Sequence, residues 1–353
     1  MTDRTGQPTS SDPLLSVRDL RTYFHTDAGV VKAVDGVSFD VGPGEVFGIV
    51  GESGSGKSIT AMSILGLIPR PPGKIESGQI LWKGQDLLAC TEGQMRRIRG
   101  GEISMIFQDP LSALNPVYTV GYQIQEMVLV HQEGSRRSAW NRAVEMLGQV
   151  GIPRPAERAL DYPHQFSGGM RQRAMIAMAL SCTPQLIICD EPTTALDVTI
   201  QAQVLEVIEK TAADLGAAVI LITHDLGVVA GMTDRVAVMY GGQIVEQGEV
   251  DELFYRPRMP YTWGLLGSIP RLDRPAHERL KPIVGAPPSM LRPPSGCRFH
   301  PRCAFACLEA CTSVGPELMA VNGDAGHLAR CHRTGEVGWE RVFLEQQEER
   351  LQS

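Results

Sequence analysis

Eight consecutive residues, Gly51-Glu52-Ser53-Gly54-Ser55-Gly56-Lys57-Ser58, have the types and spacing of a phosphate-binding loop, G-x-x-x-x-G-K-S. The glycines let backbone N–H groups surround an anion, and the N-terminus of a following helix adds partial positive charge. Lys57 is expected to reach the β- and γ-phosphates of a nucleotide, and the Ser58 hydroxyl to bind Mg²⁺. The residues predicted to hold the nucleotide here are Gly51, Ser53, Gly54, Ser55, Gly56, Lys57, Ser58 and Ile59.

A second group with catalytic chemistry is the carboxylate pair Asp190 and Glu191, which follows the apolar run Leu186-Ile187-Ile188-Cys189. Such a run predicts a buried strand, and open α/β sheets bind ligands at the carboxyl ends of their strands. Asp190 is predicted to be a Mg²⁺ ligand. Glu191 is predicted to be the base, or the group that positions the attacking water.

Polar residues also end two further predicted strands, at 103–107 and 217–223. Gln108 after the first could ligate Mg²⁺ or hold a water. His224 after the second is predicted to contact the γ-phosphate. Upstream, Tyr23 or Phe24 could stack on a nucleotide base, and the sequence does not choose between them.

Ser167-Gly168-Gly169 opens another predicted helix, with Ser167 at the N-cap. Two glycines at the positive end of a helix expose backbone N–H groups, which predicts a second anion site. It lies far along the chain from the phosphate-binding loop.

Apolar periodicity and turn signals predict the strands and helices around these residues. Before the loop we predict an edge strand over Leu14–Leu20, a pair of strands at Val30–Val34 and Val37–Val41, and a turn at Gly42-Pro43-Gly44. Residues 119–150 have a helical pattern that ends before Pro153. Strand, loop and helix therefore alternate as in an α/β fold.

The composition excludes two classes of protein, those that wrap duplex DNA and those that span a membrane. The net charge of −7 excludes a protein that wraps duplex DNA, and no nucleic-acid partner is expected. No stretch of the sequence approaches 18 consecutive apolar residues, so no membrane span is predicted. Residues 1–13 are polar, lack an apolar signal core and are expected to form a loose tail.

Five of the eight cysteines lie between Cys297 and Cys331. The cell interior is reducing, and the chain has the features of a cytosolic protein, so this crowding predicts a metal site. Four thiolates suit an iron–sulfur cluster or tetrahedral Zn²⁺. Disulfides are the remaining alternative, which an odd number of cysteines disfavours.

Together these motifs resemble the ATPase subunit of an ABC transporter. The residues that carry the resemblance are Gly51–Ser58, Gln108, Ser167–Gln172, Asp190-Glu191, Ala195-Leu196-Asp197 and His224, with Phe166 and Met170 departing from the usual signature. The resemblance implies a head-to-tail dimer, in which each ATP lies between the phosphate-binding loop of one protomer and the Ser167-Gly168-Gly169 motif and Asp197 of the other.

The chain further resembles the oligopeptide, dipeptide and nickel importers. The segments that match are Gln108–Pro116, Asp161–Met170, Arg256–Thr262 and Gly296–Cys303, although Met259 replaces the histidine of a His-Pro-Tyr-Thr run. Some importers of this group carry a [4Fe-4S] cluster in the tail. That resemblance favours Cys297, Cys303, Cys311 and Cys331 as ligands over a set with Cys307, with zinc as the rival metal.

The expected architecture is an α/β P-loop NTPase of the ABC-ATPase fold: a parallel-sheet core, an antiparallel β subdomain and a helical subdomain, followed by a cysteine-rich extension. The predicted boundaries are 1–13 for the N-terminal tail, 14–255 for the ATPase with its helical insert near 109–165, 256–335 for the extension and 336–353 for a charged tail.

The resemblance implies that ATP hydrolysis powers import of di- or oligopeptides at the cytoplasmic face of the membrane. Expected partners are two membrane-spanning permease subunits, a second related ATPase and, indirectly, an extracytoplasmic peptide-binding protein. Import of nickel or another small solute is the first alternative. A soluble ABC ATPase of DNA repair or iron–sulfur assembly is the second, and a metal- or redox-sensing role of the tail is compatible with transport.

Overall fold

A computed structural model describes residues 12–194, 197–268, 283–306 and 309–334 of the chain. Short 3₁₀ turns lie at 87–89, 163–165 and 300–302. In chain order, the strands and helices are β1 (Leu15–Thr26), β2 (Gly29–Val41), β3 (Val46–Val50), α1 (Lys57–Ile64), β4 (Gly73–Trp82), β5 (Gln85–Asp86), α2 (Glu92–Ile98), β6 (Ile103–Ile106), α3 (Pro110–Ala113), α4 (Val120–His131), α5 (Arg136–Gln149), α6 (Pro155–Arg158), α7 (Gly168–Leu180), β7 (Leu186–Asp190), α8 (Val198–Leu215), β8 (Ala218–Thr223), α9 (Leu226–Met232), β9 (Arg235–Tyr240), β10 (Gln243–Glu249), α10 (Val250–Tyr255), α11 (Pro260–Gly267), α12 (Glu309–Ser313), β11 (Met319–Val321) and β12 (Asp324–Ala329).

The first sheet is antiparallel and has the order β2-β1-β4-β5. Strand β1 pairs with both β2 and β4, so the prediction of an edge strand at Leu14–Leu20 is wrong. The prediction of two strands between residues 30 and 41 is also wrong, because β2 is continuous. Gly36, with φ of 83°, lies inside it where the register with β1 shifts.

The second sheet has eight strands in the order β11-β12-β10-β9-β3-β8-β7-β6. Strands β6, β7, β8, β3 and β9 pair in parallel, and β10, β12 and β11 add antiparallel strands at one side. Strands β6, β7 and β8 are buried at every position, as expected for parallel strands covered on both faces. Their carboxyl ends therefore meet at one edge of the sheet.

Residues 119–150 form the two helices α4 and α5 rather than one continuous segment. Ser135 begins the second helix, because its side chain accepts a hydrogen bond from the backbone N–H of Ser138. Ser167 caps α7 in the same way through the N–H of Met170, which confirms the predicted N-cap.

Three apolar clusters hold the layers together. One lies between the antiparallel sheet, α1 and the large sheet, and includes Phe39 and Phe47. The second packs α4, α5, α7 and α8 against the other face of the large sheet. The third joins β9 and β10 to the C-terminal region through Tyr240, Tyr261 and Phe299. We call the described residues after 255 the C-terminal region. Among the described residues, no helix is both long and apolar enough to cross a membrane.

Candidate functional site: a nucleotide cavity at the phosphate-binding loop

The phosphate-binding loop connects the end of β3 to the start of α1, as its sequence predicts. Gly51 has φ of 151°, and a Cβ there would lie 2.2 Å from the carbonyl oxygen of Met239. Gly56 has φ of 106°, and a Cβ there would lie 2.5 Å from the carbonyl oxygen of Ala33. Neither position can hold a larger residue without moving backbone, so the close packing of the loop requires glycine at both.

A cavity of about 370 Å³ opens beside this loop. Its lining brings together residues from the antiparallel sheet, the loop, two strand ends and the C-terminal region. The lining residues are Phe24, Val31, Ala33, Ser53, Gly54, Ser55, Gly56, Lys57, Ser58, Ile59, Gln108, Glu191 and Met290.

Lys57 is held over the loop by main-chain acceptors. Its Nζ donates to the carbonyl oxygens of Gly51, at 2.8 Å, and Glu52, at 3.1 Å. Nζ also lies 3.8 Å from Oε1 of Glu191. Burial lowers the pKa of Lys57, while the negative charges of Glu191 and Asp190 oppose that change. The amine therefore stands where an anionic phosphate would find a positive charge largely shielded from water.

Two oxygen ligands predicted for Mg²⁺ lie together. The Ser58 hydroxyl donates to Oδ1 of Asp190 at 2.8 Å, joining the start of α1 to the end of β7. Burial raises the pKa of Asp190, a change that the hydrogen bond from Ser58 opposes and the charge of Glu191 reinforces. A carboxylate and a hydroxyl are oxygen donors of the kind that Mg²⁺ binds.

Side chains that follow three neighbouring strands, β6, β7 and β8, meet at Glu191. Its Oε2 accepts hydrogen bonds from Gln108 Nε2 at 3.0 Å and from Thr194 Oγ1 at 2.9 Å. Nδ1 of His224 lies 3.6 Å from the same oxygen, with 58% of the histidine side chain exposed. The three residues predicted to be catalytic, Glu191, His224 and Gln108, therefore lie side by side.

Of the two aromatic candidates for base stacking, Phe24 lines the cavity. The Tyr23 hydroxyl instead donates to Oδ1 of Asp35 at 2.6 Å, and Nζ of Lys32 lies 5.7 Å from the centre of the Tyr23 ring.

The second predicted anion site lies elsewhere in the same chain. Ser167, Gly168 and Gly169 form the N-terminal end of α7, and Asp197 caps α8 by accepting from the N–H of Ile200. None of these four residues is among those that line the nucleotide cavity. Ala195 and Leu196, the other residues of the predicted motif around Asp197, lie outside the described residues.

The predicted cysteine ligands Cys297, Cys303, Cys311 and Cys331 line one small cavity with Phe299 and Phe305. Burial raises the pKa of Cys303 and of Cys331 to about 12, with smaller contributions from neighbouring cysteines. In the parts of the chain that the structure describes, no three His, Cys, Asp or Glu side chains are grouped so as to hold a metal ion. Cys307, the alternative ligand, lies outside the described residues.

Several residues of this site were missed by sequence reasoning. Val31, Ala33 and Met290 line the nucleotide cavity, and Thr194 bonds to Glu191. Thr194 follows the carboxylate pair by three residues, which is a usable local signal. Met290 comes from a Pro-rich segment more than two hundred residues after the loop, and nothing in its neighbourhood in the sequence marks it.

Comparison with known proteins agrees with this geometry. The sequence model of the family described as ABC transporter matches residues 34–194. The model described as Oligopeptide/dipeptide transporter, C-terminal region, matches residues 245–311. A solved dimer of an ATP-binding cassette, in a post-hydrolysis state with ADP and phosphate, superposes with a TM-score of 0.60 at 25% identity, covering 67% of this chain and 98% of that one.

Curated relatives are similar over most of the chain. The oligopeptide transport ATP-binding protein OppD of Bacillus subtilis (strain 168) is 54% identical over 293 residues, which are 83% of this chain and 82% of the relative. The dipeptide transport ATP-binding protein DppD of the same organism is 56% identical over 292 residues, 83% of this chain and 87% of the relative. The chain therefore belongs to the ABC transporter family, in the group that carries the oligopeptide/dipeptide transporter C-terminal region.

Proposed function

We propose that this chain is the ATP-hydrolysing subunit of an ABC importer of di- or oligopeptides. The observation that carries the proposal is the convergence of Lys57, Ser58, Gln108 and Glu191 on one cavity, with Asp190 bonded to Ser58 at its edge. The match of the C-terminal region to that of oligopeptide and dipeptide transporters supports the peptide substrate.

Each residue has a separate task in the proposed reaction. The N–H groups of the loop and the amine of Lys57 bind the β- and γ-phosphates. Ser58, Asp190 and Gln108 would hold Mg²⁺, which neutralises charge on those phosphates. Glu191 accepts a proton from the attacking water or orients it, and Gln108 and Thr194 fix the direction of its carboxylate. His224, beside Glu191, contacts the γ-phosphate.

We propose that a second, related ATPase subunit completes each site. Ser167, Gly168, Gly169 and Asp197 of one subunit would face the ATP bound by the other. The position of the first three at the N-terminus of the 13-residue helix α7 suits an anion, and their absence from the lining of the cavity in their own chain supports contact with a partner's nucleotide.

The membrane subunits are proposed to dock on the helical residues near 109–165. An open groove of about 400 Å³ lies beside α4, α7 and β6. Its lining includes Ala113, Met127 and His131 of this segment together with Met105 and Met178. Apolar surface of this kind suits a helix from a partner. The subunit would then be peripheral at the cytoplasmic face of the membrane, beneath two permease subunits, and an extracytoplasmic binding protein would deliver the peptide.

We further propose that Cys297, Cys303, Cys311 and Cys331 ligate a [4Fe-4S] cluster, with Zn²⁺ as the rival. Their shared cavity supports this ligand set. Burial disfavours the thiolate form of Cys303 and Cys331, and a bound metal ion would stabilise it. The cluster's role would be structural, pinning the Pro-rich C-terminal region.

The test is reconstitution of the whole transporter in liposomes. Uptake of a radiolabelled tripeptide that depends on ATP, and is lost in Glu191→Gln, is the expected result. Uptake of Ni²⁺ but of no peptide would replace the proposed substrate. Purification of the tagged chain without membrane-spanning subunits from gently solubilised membranes would contradict the transport role itself.

A further inference from the structure

Glu52, the second residue of the phosphate-binding loop, is held by the C-terminal region. Its backbone N–H donates to the Tyr261 hydroxyl at 2.9 Å. Its carboxylate forms a two-point ion pair with Arg302, in which Nη1 lies 2.6 Å from Oε2 and Nη2 lies 3.0 Å from Oε1. Paired donors of this kind match the planar guanidinium and fix direction as well as distance.

The remaining polar group of Glu52 faces the nucleotide-binding residues. Its carbonyl oxygen accepts from Nζ of Lys57 at 3.1 Å and from the backbone N–H of Ser55 at 3.2 Å. One residue of the loop therefore links the C-terminal region to the amine that binds phosphate. A displacement of Glu52 would move an acceptor of Lys57 together with the N–H groups of the loop.

Arg302 is itself fixed by contacts other than Glu52. Its Nε donates to the Val284 carbonyl oxygen at 3.1 Å and its Nη2 to that of Ile283 at 3.2 Å. Its guanidinium carbon lies 5.8 Å from the centre of the Tyr240 ring, and only 5% of its side chain is exposed. The C-terminal region thus presents a preformed cation to the loop, so the position of Glu52 follows that of Arg302.

The pair also removes a charge that would oppose nucleotide binding. Glu52 is adjacent to Ser53, which lines the cavity that would receive a triphosphate. An unpaired carboxylate at this place would repel the phosphates, because charges in a partly buried site are weakly screened. Arg302 cancels that charge.

We propose that Arg302 is a positioning residue for ATP binding, acting through Glu52, with the Tyr261 hydroxyl as its second point of attachment. The C-terminal region is then part of the nucleotide site rather than an appendage to it. This inference rests on the ATP site proposed above.

The test compares ATP dissociation constants of the purified full-length chain, with thermal unfolding as a check on folding. Arg302→Gln should weaken ATP binding about tenfold, the effect of losing one charge-assisted interaction. Arg302→Lys, which keeps the charge without the paired geometry, should lose less. Glu52→Gln combined with Arg302→Gln removes the uncompensated carboxylate but not the loss of positioning, so it should recover only part of the affinity.

Arg330→Gln is the matched control, since Arg330 is another arginine of the C-terminal region and donates to the carbonyl oxygens of Ile244 and Pro316, away from the loop. It should keep the ATP affinity of the parent even where it lowers the unfolding temperature. Parent-like affinity in folded Arg302→Gln, full recovery of affinity in the double variant, or equal weakening by Arg330→Gln would each overturn the proposal.

If Arg302→Gln does not fold, Tyr261→Phe decides the question, because it removes only the oxygen that accepts from the N–H of Glu52. A loss of about threefold in ATP affinity is expected from one neutral hydrogen bond, and no loss would overturn the proposal. A parent chain that binds no ATP would instead contradict the proposed function.

Discussion

Gln108 and Glu191 are joined by a hydrogen bond of 3.0 Å from Nε2 to Oε2, although 83 residues separate them in the chain. They follow β6 and β7, which are paired in parallel, so their side chains meet at one edge of the sheet. The backbone of Glu191 has φ of 46°, in the left-handed region that non-glycine residues rarely occupy. Strain at this position is consistent with a functional constraint on the direction of the carboxylate.

The first prediction concerns Glu191→Gln. The amide keeps the size of the side chain but cannot accept a proton from water, so ATP hydrolysis by the assembled transporter should fall at least about a hundredfold. ATP binding should persist, and a closed, ATP-bound dimer should accumulate. Turnover is measured as phosphate release, with Glu206→Gln on the exposed side of α8 as control. Near-normal turnover would contradict the catalytic role.

The second prediction is that Lys57→Ala weakens ATP binding itself. The variant loses a buried positive charge beside the phosphates, which should raise the dissociation constant about tenfold or more. Calorimetric titration of the purified chain measures it. Lys74→Ala, at a lysine with 64% of its side chain exposed, should bind ATP as the parent does. Equal affinities of Lys57→Ala and the parent would remove Lys57 from the phosphate site.

The third prediction concerns oligomeric state. Because the Ser167-Gly168-Gly169 motif lies outside the nucleotide cavity of its own chain, the purified subunit should hydrolyse ATP poorly by itself. Adding the second ATPase and the membrane subunits should raise turnover. Light scattering and phosphate release are measured together. A homodimer that forms with ATP and has full activity would refute the heterodimer.

The fourth prediction distinguishes the cysteine ligands. Protein purified without oxygen should be brown and carry about four irons per chain, whereas colourless protein with one zinc would refute the cluster. Cys311→Ser should lose iron, because Cys311 lines the cavity shared with the other three proposed ligands. Cys307→Ser should retain it, as should the control Cys90→Ser. Iron lost from Cys307→Ser and kept in Cys311→Ser would reverse the choice.

The fifth prediction concerns the buried ion pair of Asp35 with Arg298, which joins β2 to the C-terminal region. Burial by itself raises the pKa of Asp35, but the hydrogen bond from Tyr23 and the charge of Arg298 outweigh it and leave the pKa below its usual value. A lowered native pKa means that the carboxylate stabilises the fold above its unfolded pKa of about 3.9, and that this contribution is lost as the pH falls through the native value.

Asp35→Asn should therefore lower the free energy of unfolding at pH 7 by about 3 kcal/mol, because it leaves Arg298 buried without a countercharge. The loss should be smaller in acid, where the parent also loses the carboxylate. Urea unfolding at several pH values measures both effects. Asp19→Asn, at a carboxylate with 62% of its side chain exposed, is the control and should change little. A loss for Asp35→Asn that is the same at every pH would contradict the assigned titration.

Local sequence was sufficient to predict the elements that carry the proposed catalytic residues. The order of β3, loop and α1, and the carboxylates at the end of β7, were predicted because short apolar runs, glycines and polar strand ends are signals within ten residues of one another. The cap of α7 at Ser167 was predicted for the same reason.

Sequence reasoning failed where pairing partners are distant. Strand β1 is central because it has a neighbour on each side: Leu15 pairs with Val41 of β2 and with Trp82 of β4. The alternation of apolar residues along a strand is the same for an edge strand and a central strand, so it could not distinguish them. The break predicted within β2 failed because a glycine can produce a bulge without ending a strand.

The contact between the C-terminal region and the nucleotide site depends on tertiary packing. The amino-acid sequence specifies an arginine at 302 and a glutamate in the phosphate-binding loop, but not that they meet. Their ion pair spans 250 residues, and Met290 reaches the cavity from the same distant region. No periodicity or motif spacing encodes such contacts, because they depend on how the strands and helices between them pack.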